Sequence, residues 1–383
     1  MDFNLTEEQA MLADMTARLF QNEHDPRSRR RRLAGEAPAE SRLWASLAEL
    51  GILGIHVPDT YGGTASSEQE SAISSHIVAK AMGRMLVNEP FVSTAVVAAS
   101  LIVHAASARQ KEALLPKLAD GTLKIVLAHA DGGKSTDLAH TETSASLMSD
   151  GYRLRGVKHR MPDSGSAHQF IISARTSGAV TDEHGVSLFL VDRNCEGLTV
   201  TCGVGFDGSD VGELRLDDVL VSADRLIGSV DEGLRPMRHA IHRGISALLA
   251  EAVGAMERLQ EMSIEHLKTR KQFGQTLARF QILQHYVADM ATALEQSYSM
   301  SLMACSASAH DDDTDGARSI AAAKHMVGRH GLVVGKHAVQ LHGGVGMTDE
   351  LLVGQYFRRL LMIDATWGNA EEQLGCFART HVD

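Results

Sequence analysis

LTVTCGVGFDGSDVGELRLDDVLV, residues 198–221, decides between two kinds of protein. Gly203, Gly205 and Gly208 have the GxGxxG spacing of a dinucleotide-binding turn. Such a turn follows a strand and opens a helix whose N-terminus holds a pyrophosphate. Here strand-type alternation continues through 212–221, so no helix opens and the nucleotide-fold reading falls. Working outward, IVLAHA (125–130), YRLRGVKH (152–159), QFIISAR (169–175) and VSLFLVD (186–192) are further short strand runs between turn residues. With no long helix among them, residues 122–229 are expected to form an antiparallel sheet or barrel.

On either side the pattern turns helical. Thr6 is a candidate N-cap for a first helix with an apolar stripe at Met11, Met15 and Leu19. A second helix covers about 40–50 and stops at Gly51, and ILGIHVPDTYGG (52–63) reads as a compact loop. Helices are expected at about 66–84, 88–106 and 108–118, then at 232–270, 280–308 and 317–341, with two short ones after them. DDDTDG (311–316) is the one obvious polar loop. The class is α+β: an N-terminal helical domain (1–121), a middle antiparallel β domain (122–229) and a C-terminal helical bundle (230–383).

Composition narrows the function. The chain is 44% hydrophobic and 22% charged, with a net charge of −11, which argues against nucleic-acid binding. The run Arg27 to Arg32 is read as a solvated helix face. Cys195, Cys202, Cys305 and Cys376 show no CxxC spacing, which suits a reducing compartment without a zinc site. The opening MDFNLTEEQAML is acidic and amphipathic, unlike a signal peptide, and no apolar run spans a membrane, so the expected location is cytoplasmic. Gly132, Gly133, Lys134 and Ser135 resemble the end of a Walker A loop, but Ala128 stands where its first glycine belongs. His239 and His242 lie one helical turn apart without an acidic neighbour in sequence, so no metal is expected. No GxSxG and no Cys–His pairing points to a hydrolase.

Two stretches do suggest a ligand. TRKQFGQ (269–275) ends a long helix with Arg270, a planar permanent cation suited to pyrophosphate, followed by Phe273 and Gly274. Gln281 begins the next helix. QLHGGVGMTDE (340–350) carries Gln340, Leu341, His342, Gly343 and Gly344 into a glycine turn, either a sharp helix end or a close approach of backbone to a ligand.

In GILGIHVPDTYGG, LRLDDVLVSADRLIG, TRKQFGQTLARFQ and QLHGGVGMT, the chain resembles the acyl-CoA dehydrogenase family, and the resemblance extends over nearly its whole length. The resemblance implies FAD, an acyl-CoA substrate desaturated at its α,β bond, and an electron-transfer flavoprotein as acceptor. It implies that Arg270, Phe273, Gln281 and the Gln340–Gly344 turn hold the ADP half of FAD across a subunit interface. The family's base is a glutamate at one of two places. By register these are Trp367 and Gly244 here, and indole cannot take up a proton at useful pH. Glu251 and Asp364 are the nearest acids, more readily explained by salt bridging or solvation. The flavin-facing loop and strand also depart, at LAHADGGKSTD (127–137) and Lys158 to Pro162. That combination resembles the small or β-type subunits of heteromeric pimeloyl-CoA and steroid side-chain dehydrogenases. The expected role is a subunit that completes an FAD site without supplying the base, beside a homologous subunit. The alternatives are a self-sufficient homotetramer with an unconventional base, or an inactive acyl-CoA- or FAD-binding scaffold.

Overall fold

The computed structural model describes residues 5–36, 42–132, 137–310, 314–348 and 351–379. Much of the 127–137 stretch is described, but its residues 133–136, and 311–313 of the polar run, lie outside. Helix α1 (Glu7–Glu23) opens on a capping box: Gln9 N–H donates to the Thr6 hydroxyl, and Thr6 N–H to the Gln9 side chain. Its inner face is Gln9, Thr16 and Phe20, with Leu12, Met15 and Leu19 half-buried beside it. Met11 faces solvent instead, because two residues beyond Gln9 is a rotation of about 200°.

Helices α2 (Ser28–Leu33) and α3 (Arg42–Glu49) follow, the second ending near Gly51, which is left-handed at φ 72°. The loop 52–63 folds on itself so tightly that a Cβ at Gly63 would fall 1.9 Å from the Val57 carbonyl oxygen. Next comes α4 (Glu68–Met85), N-capped by Ser67. The stretch expected as one helix over 88–106 is split: Phe91–Ala98 winds as a wider π-type helix before α5 (Ala99–Ala105). Such segments recur at functional sites, and this one places Val92 and Ser93 on a cavity described below. Then α6 (Ala108–Ala119) leads to the sheet.

The sheet holds β1 (Ile125–Ala128), β2 (Ser144–Leu147), β3 (Gly151–Pro162), β4 (Gln169–Arg175), β5 (Val186–Asp192), β6 (Leu198–Val204), β7 (Asp210–Ser222) and β8 (Leu226–Ile227). Its order is β6-β7-β3-β2-β4-β5-β8, with β1 beside β4. Pairing is antiparallel except at one edge of β4, which takes β1 in parallel and touches β2 at Ser144 and Arg175. The GxGxxG stretch is the β6–β7 hairpin: Gly205 N–H donates to the Ser209 carbonyl, and Gly208 is left-handed at φ 81°. Strands β4 and β5 are buried along almost their whole length, Ser173 and Ser187 included, because they separate two cores. Phe170, Ile172, Phe189 and Val191 face the core within the sheet, while Ile171, Leu188 and Leu190 face the helices.

The C-terminal part contains α7 (Leu234–Thr269), a small hairpin of β9 (Lys271–Gln272) and β10 (Gln275–Thr276), α8 (Gln281–Ser308), α9 (Thr314–His342), α10 (Val353–Ala365) and α11 (Ala370–Arg379). Buried along most of its length, α7 packs against α4, α8, α9 and α10. It meets α4 backbone to backbone: a Cβ at Gly83 would lie 1.9 Å from the Glu251 carbonyl oxygen, and one at Gly254 2.0 Å from that of Lys80. Among the described residues no helix is long and apolar enough to cross a membrane. Gly83→Ala tests this helix contact. Propensity favours alanine by about 1 kcal/mol, yet the clash reverses the sign, and we expect a net loss of about 2 kcal/mol in urea denaturation.

Candidate active site

The ends of α7 and α9 meet at one corner of the bundle. His342 is buried, bonds through Nδ1 to the Ala338 carbonyl at 2.8 Å, and packs its ring on that of His266, centroids 4.5 Å apart. His266 lies one turn before Arg270, so this ring pair brings Arg270 and the 343–344 turn together. Arg270 is exposed, and no carboxylate among the described residues pairs with it. The hairpin after it returns through Leu277 N–H to the Arg270 carbonyl at 2.9 Å, placing Gln281 at the exposed start of α8. Phe273 is 89% exposed at the hairpin tip, left-handed at φ 52°, and edge-on to Phe280.

Within the second stretch, Gln340, Gly343 and Gly344 are exposed, whereas Leu341 and His342 point into their own bundle. Those two side chains anchor the turn to the bundle. Gly343 needs its glycine for a left-handed turn at φ 65°. Gly344 is not left-handed, and a Cβ there would meet nothing within 4 Å. The chain's own packing does not require glycine at 344, so the open space suits something approaching from outside.

A second locus lies deeper. A cavity of about 180 Å³ is enclosed by the 87–93 segment, the ends of β1 and β3, α7 and α10, with Trp367 in its wall. Gly244, on α7, lies under that indole: a Cβ at 244 would sit 2.6 Å from the Trp367 ring and 2.6 Å from Val97. Trp367 itself is left-handed at φ 53°, and Gln373 Nε2 donates to its carbonyl at 2.9 Å. The same indole lines an outer cleft of about 690 Å³ with Ile241, Ile320 and Cys376. Trp367 thus partitions the buried cavity from the outer cleft.

Charged groups close the cavity on its inner side. Arg29, expected on a solvated face, is 1% exposed, because its Nη1 reaches Asp207 Oδ2 at 2.9 Å and its other nitrogens donate to the Leu86 and Val87 carbonyls. Arg359 bonds both oxygens of Glu251, at 2.6 and 2.7 Å, and Asp207 at 3.2 Å. Burial would raise the Asp207 carboxyl, but Arg29 and Arg359 hold it below its ordinary value. Asp163, left-handed at φ 59°, also lines the cavity and accepts from the Ser93 hydroxyl at 2.5 Å. Burial pushes this carboxyl up to about 6. Lys158 is turned inward to Asp131 at 2.8 Å, and burial lowers it to about 8.

Three family models together cover nearly the whole chain: "Acyl-CoA dehydrogenase, N-terminal domain" over residues 6–122, the middle domain over 127–219 and the C-terminal domain over 231–381. The chain belongs to the acyl-CoA dehydrogenase family. It is 28% identical over 382 residues to the probable acyl-CoA dehydrogenase YngJ of Bacillus subtilis (strain 168), covering 99% of each chain. It matches the structure of butyryl-CoA dehydrogenase from Megasphaera elsdenii at TM-score 0.88, with 25% identity over 100% of each chain. It also matches the Tcur3481-Tcur3483 steroid ACAD at TM-score 0.83, with 28% identity over 98% of each chain.

Acyl-CoA dehydrogenases are flavin-dependent oxidoreductases, and FAD is the cofactor. The two halves of its site fare differently here. The uncommitted Arg270 and the open glycine turn fit the ADP half. The flavin-facing half fits poorly: β3 slips register between Lys158 and Met161, Lys158 is buried, and His159 is engaged with Glu213 at 2.9 Å. The cavity is also below the roughly 300–1,000 Å³ of small-molecule sites.

Neither alternative acid is placed as a base. Glu251 is held by the Arg359 fork, and Asp364 accepts from Ala370 N–H at 3.0 Å at the start of α11. His239, His104 and Glu68 bring side-chain nitrogen and oxygen atoms within 4.8 Å of one another, and Glu68 also pairs with Arg243. Sequence reading missed Asp163, whose only signal was its place after the Lys158–Pro162 strand.

Asp163 gives a pH test. Its folded value of about 6 lies above the ordinary 3.8. The resulting stability is therefore complete below about pH 4 and lost as pH rises through about 6. Asp163→Asn should leave stability unchanged at pH 4 and raise it by about 3 kcal/mol at pH 8, read from denaturant midpoints.

Proposed function

We propose that this chain is the subunit of a heteromeric acyl-CoA dehydrogenase that completes a homologous subunit's FAD site without supplying the catalytic base. The observation that carries the reading is the contact between Gly244 and the Trp367 indole. Two positions that are far apart in the chain, each matching a place for the family's glutamate, converge on one point, and neither bears a carboxylate. The indole fills the space above Gly244, and its N–H donates but cannot accept a proton. On this reading the outward-facing Arg270, Gly343 and Gly344 serve a flavin held mainly by the neighbour; their exposure supports it. The paired name of the Tcur3481-Tcur3483 relative agrees with an assembly of two different chains. The substrate on this reading is an acyl-CoA thioester, and the electrons pass to an electron-transfer flavoprotein.

A self-sufficient enzyme is the second reading, and Asp163 is the observation that favours it. This carboxyl lines the cavity and is raised into the range useful for proton abstraction. It replaces Glu251 and Asp364 as the residue on which that reading rests.

Expression alone, and together with a homologous chain bearing the glutamate, separates the two. Flavin per chain is read by absorbance and acyl-CoA oxidation with an artificial acceptor. Because a missing general base costs about 10²–10⁴-fold in rate, the chain alone should turn over at that fraction of the mixed assembly and hold less than one flavin per chain. Full flavin loading and full turnover by the chain alone would overturn the subunit reading, and loss of that turnover in Asp163→Asn would establish the second.

A further inference from the structure

Near its start, α7 shows two working stripes. Arg238, Ile241, His242 and Ile245 line the outer cleft. His239 and Arg243, one turn apart, share a different stripe. Beside that second stripe come the ends of two N-terminal helices, with Glu68 in the first turn of α4 and His104 in the last turn of α5. The acidic partner that the sequence around His239 lacks is thus supplied from 171 residues away by the fold.

The spacing is that of a coordination shell. One nitrogen from each imidazole and one oxygen of the carboxylate all lie within 4.8 Å of one another. Glu68 Oε1 and His104 Nε2 are 3.5 Å apart, close to the roughly 3.3 Å between ligands on a tetrahedral ion with bonds of about 2.0–2.1 Å. The two rings meet edge to face, with centroids 4.6 Å apart, rather than stacking. Glu68 and His104 have side chains 45% and 33% exposed, so modest rotations bring the remaining atoms to bonding distance.

The groups behind this shell orient it. Arg243 pairs with the other carboxylate oxygen, Oε2, and leaves Oε1 turned toward His104. The guanidinium is itself fixed by His56 Nδ1 at 3.1 Å and the Ser100 hydroxyl at 3.3 Å. Outer partners of this kind hold metal ligands in position. Its positive charge is matched by Glu68, and the partial exposure of the site screens what repulsion remains. The ion pair with Arg243 accounts for the carboxylate. It does not account for two imidazoles, from two further helices, brought to the same carboxylate.

We propose that Glu68, His104 and His239 form a binding site for a first-row divalent metal ion such as zinc, separate from the flavin and acyl-CoA sites. Two imidazoles and one carboxylate suit zinc, cobalt or nickel, whereas calcium and magnesium require mainly oxygen ligands. Water completes the shell on the exposed side. The bound ion ties the ends of α4 and α5 to α7, so its binding free energy adds to the stability of the folded chain. The site does not depend on whether the chain works alone or beside a partner.

The test uses the purified, untagged full-length chain with cobalt(II) and zinc(II) as probes. One cobalt ion per chain should bind saturably, with a visible absorption band that zinc abolishes by displacement. Glu68→Gln, His104→Ala and His239→Ala should each weaken binding by at least the roughly 10–100-fold that loss of an outer partner causes. His242→Ala, on the other stripe, should bind as the parent chain does. Zinc should raise the urea midpoint of the parent chain and not that of His104→Ala. Absence of saturable cobalt binding would overturn the proposal. So would binding unchanged in both His104→Ala and His239→Ala, which would place the ion on other histidines. Should Glu68→Gln fail to fold because Arg243 loses its partner, His104→Ala, at a half-exposed helix end, decides alone.

Discussion

Four charges, three of them buried and Arg359 half-buried, hold the three parts of this chain together. Arg29 comes from the N-terminal helices, Asp207 from the β6–β7 turn, and Glu251 and Arg359 from the C-terminal bundle. Two cations face two anions, so the cluster is neutral, and each charge has more than one partner. Removing one member would strand a buried charge, at about 3–5 kcal/mol. The cluster also explains the glycines of the β6–β7 turn. Gly208 lets the hairpin press against α2, where a Cβ would lie 2.6 Å from the Arg29 carbonyl oxygen, and the turn thereby delivers Asp207. A sequence that imitates a nucleotide-binding loop is here a strand connection that carries a charge into the interior.

The cluster shapes the chemistry of the central cavity. Its inner side is ionic, its middle is closed by the Trp367 indole over Gly244, and its volume is small. The outer corner is the opposite: Arg270 is exposed and paired with no carboxylate among the described residues, Phe273 and Met347 are 89% and 80% exposed, and Gly344 is open. A fold that fills its own reaction space while leaving cofactor-type groups facing outward is suited to work through a neighbour. The two features have a common geometrical origin in α7, which supplies Leu248 and Glu251 to the cavity and Gly244 to the indole that walls it, and whose end carries Arg270 to the corner.

The order of helices and strands was legible because periodicity reports which faces are buried, and burial here is simple on most elements. QFIISAR and VSLFLVD read as strands though they do not alternate, since each lies between two cores. What escaped was set by distant partners. SASL (144–147) carries little apolar signal and forms a strand only because β3 offers an edge. Arg29 sits in a run of arginines, and nothing local singles it out from Arg30 or Arg31; Asp207, 178 residues away, does. For the site, Trp367 and Gly244 were legible as missing carboxylates, but their mutual contact was not. Asp163, Ser93 and the approach of Glu68 and His104 to His239 were illegible, because only the packed structure shows which polar groups are shielded from water and what they face.

The central claim, that this chain completes a flavin site in its neighbour, is tested most directly in the mixed assembly with Arg270→Ala carried by this chain alone. A charge-assisted hydrogen bond of about 1.5–3 kcal/mol corresponds to about 10- to 150-fold in affinity. The account predicts that FAD dissociates more readily by that factor, read by flavin absorbance after gel filtration, although the substitution is not in the subunit that holds the flavin ring. Flavin retention equal to that of the unsubstituted assembly would contradict it.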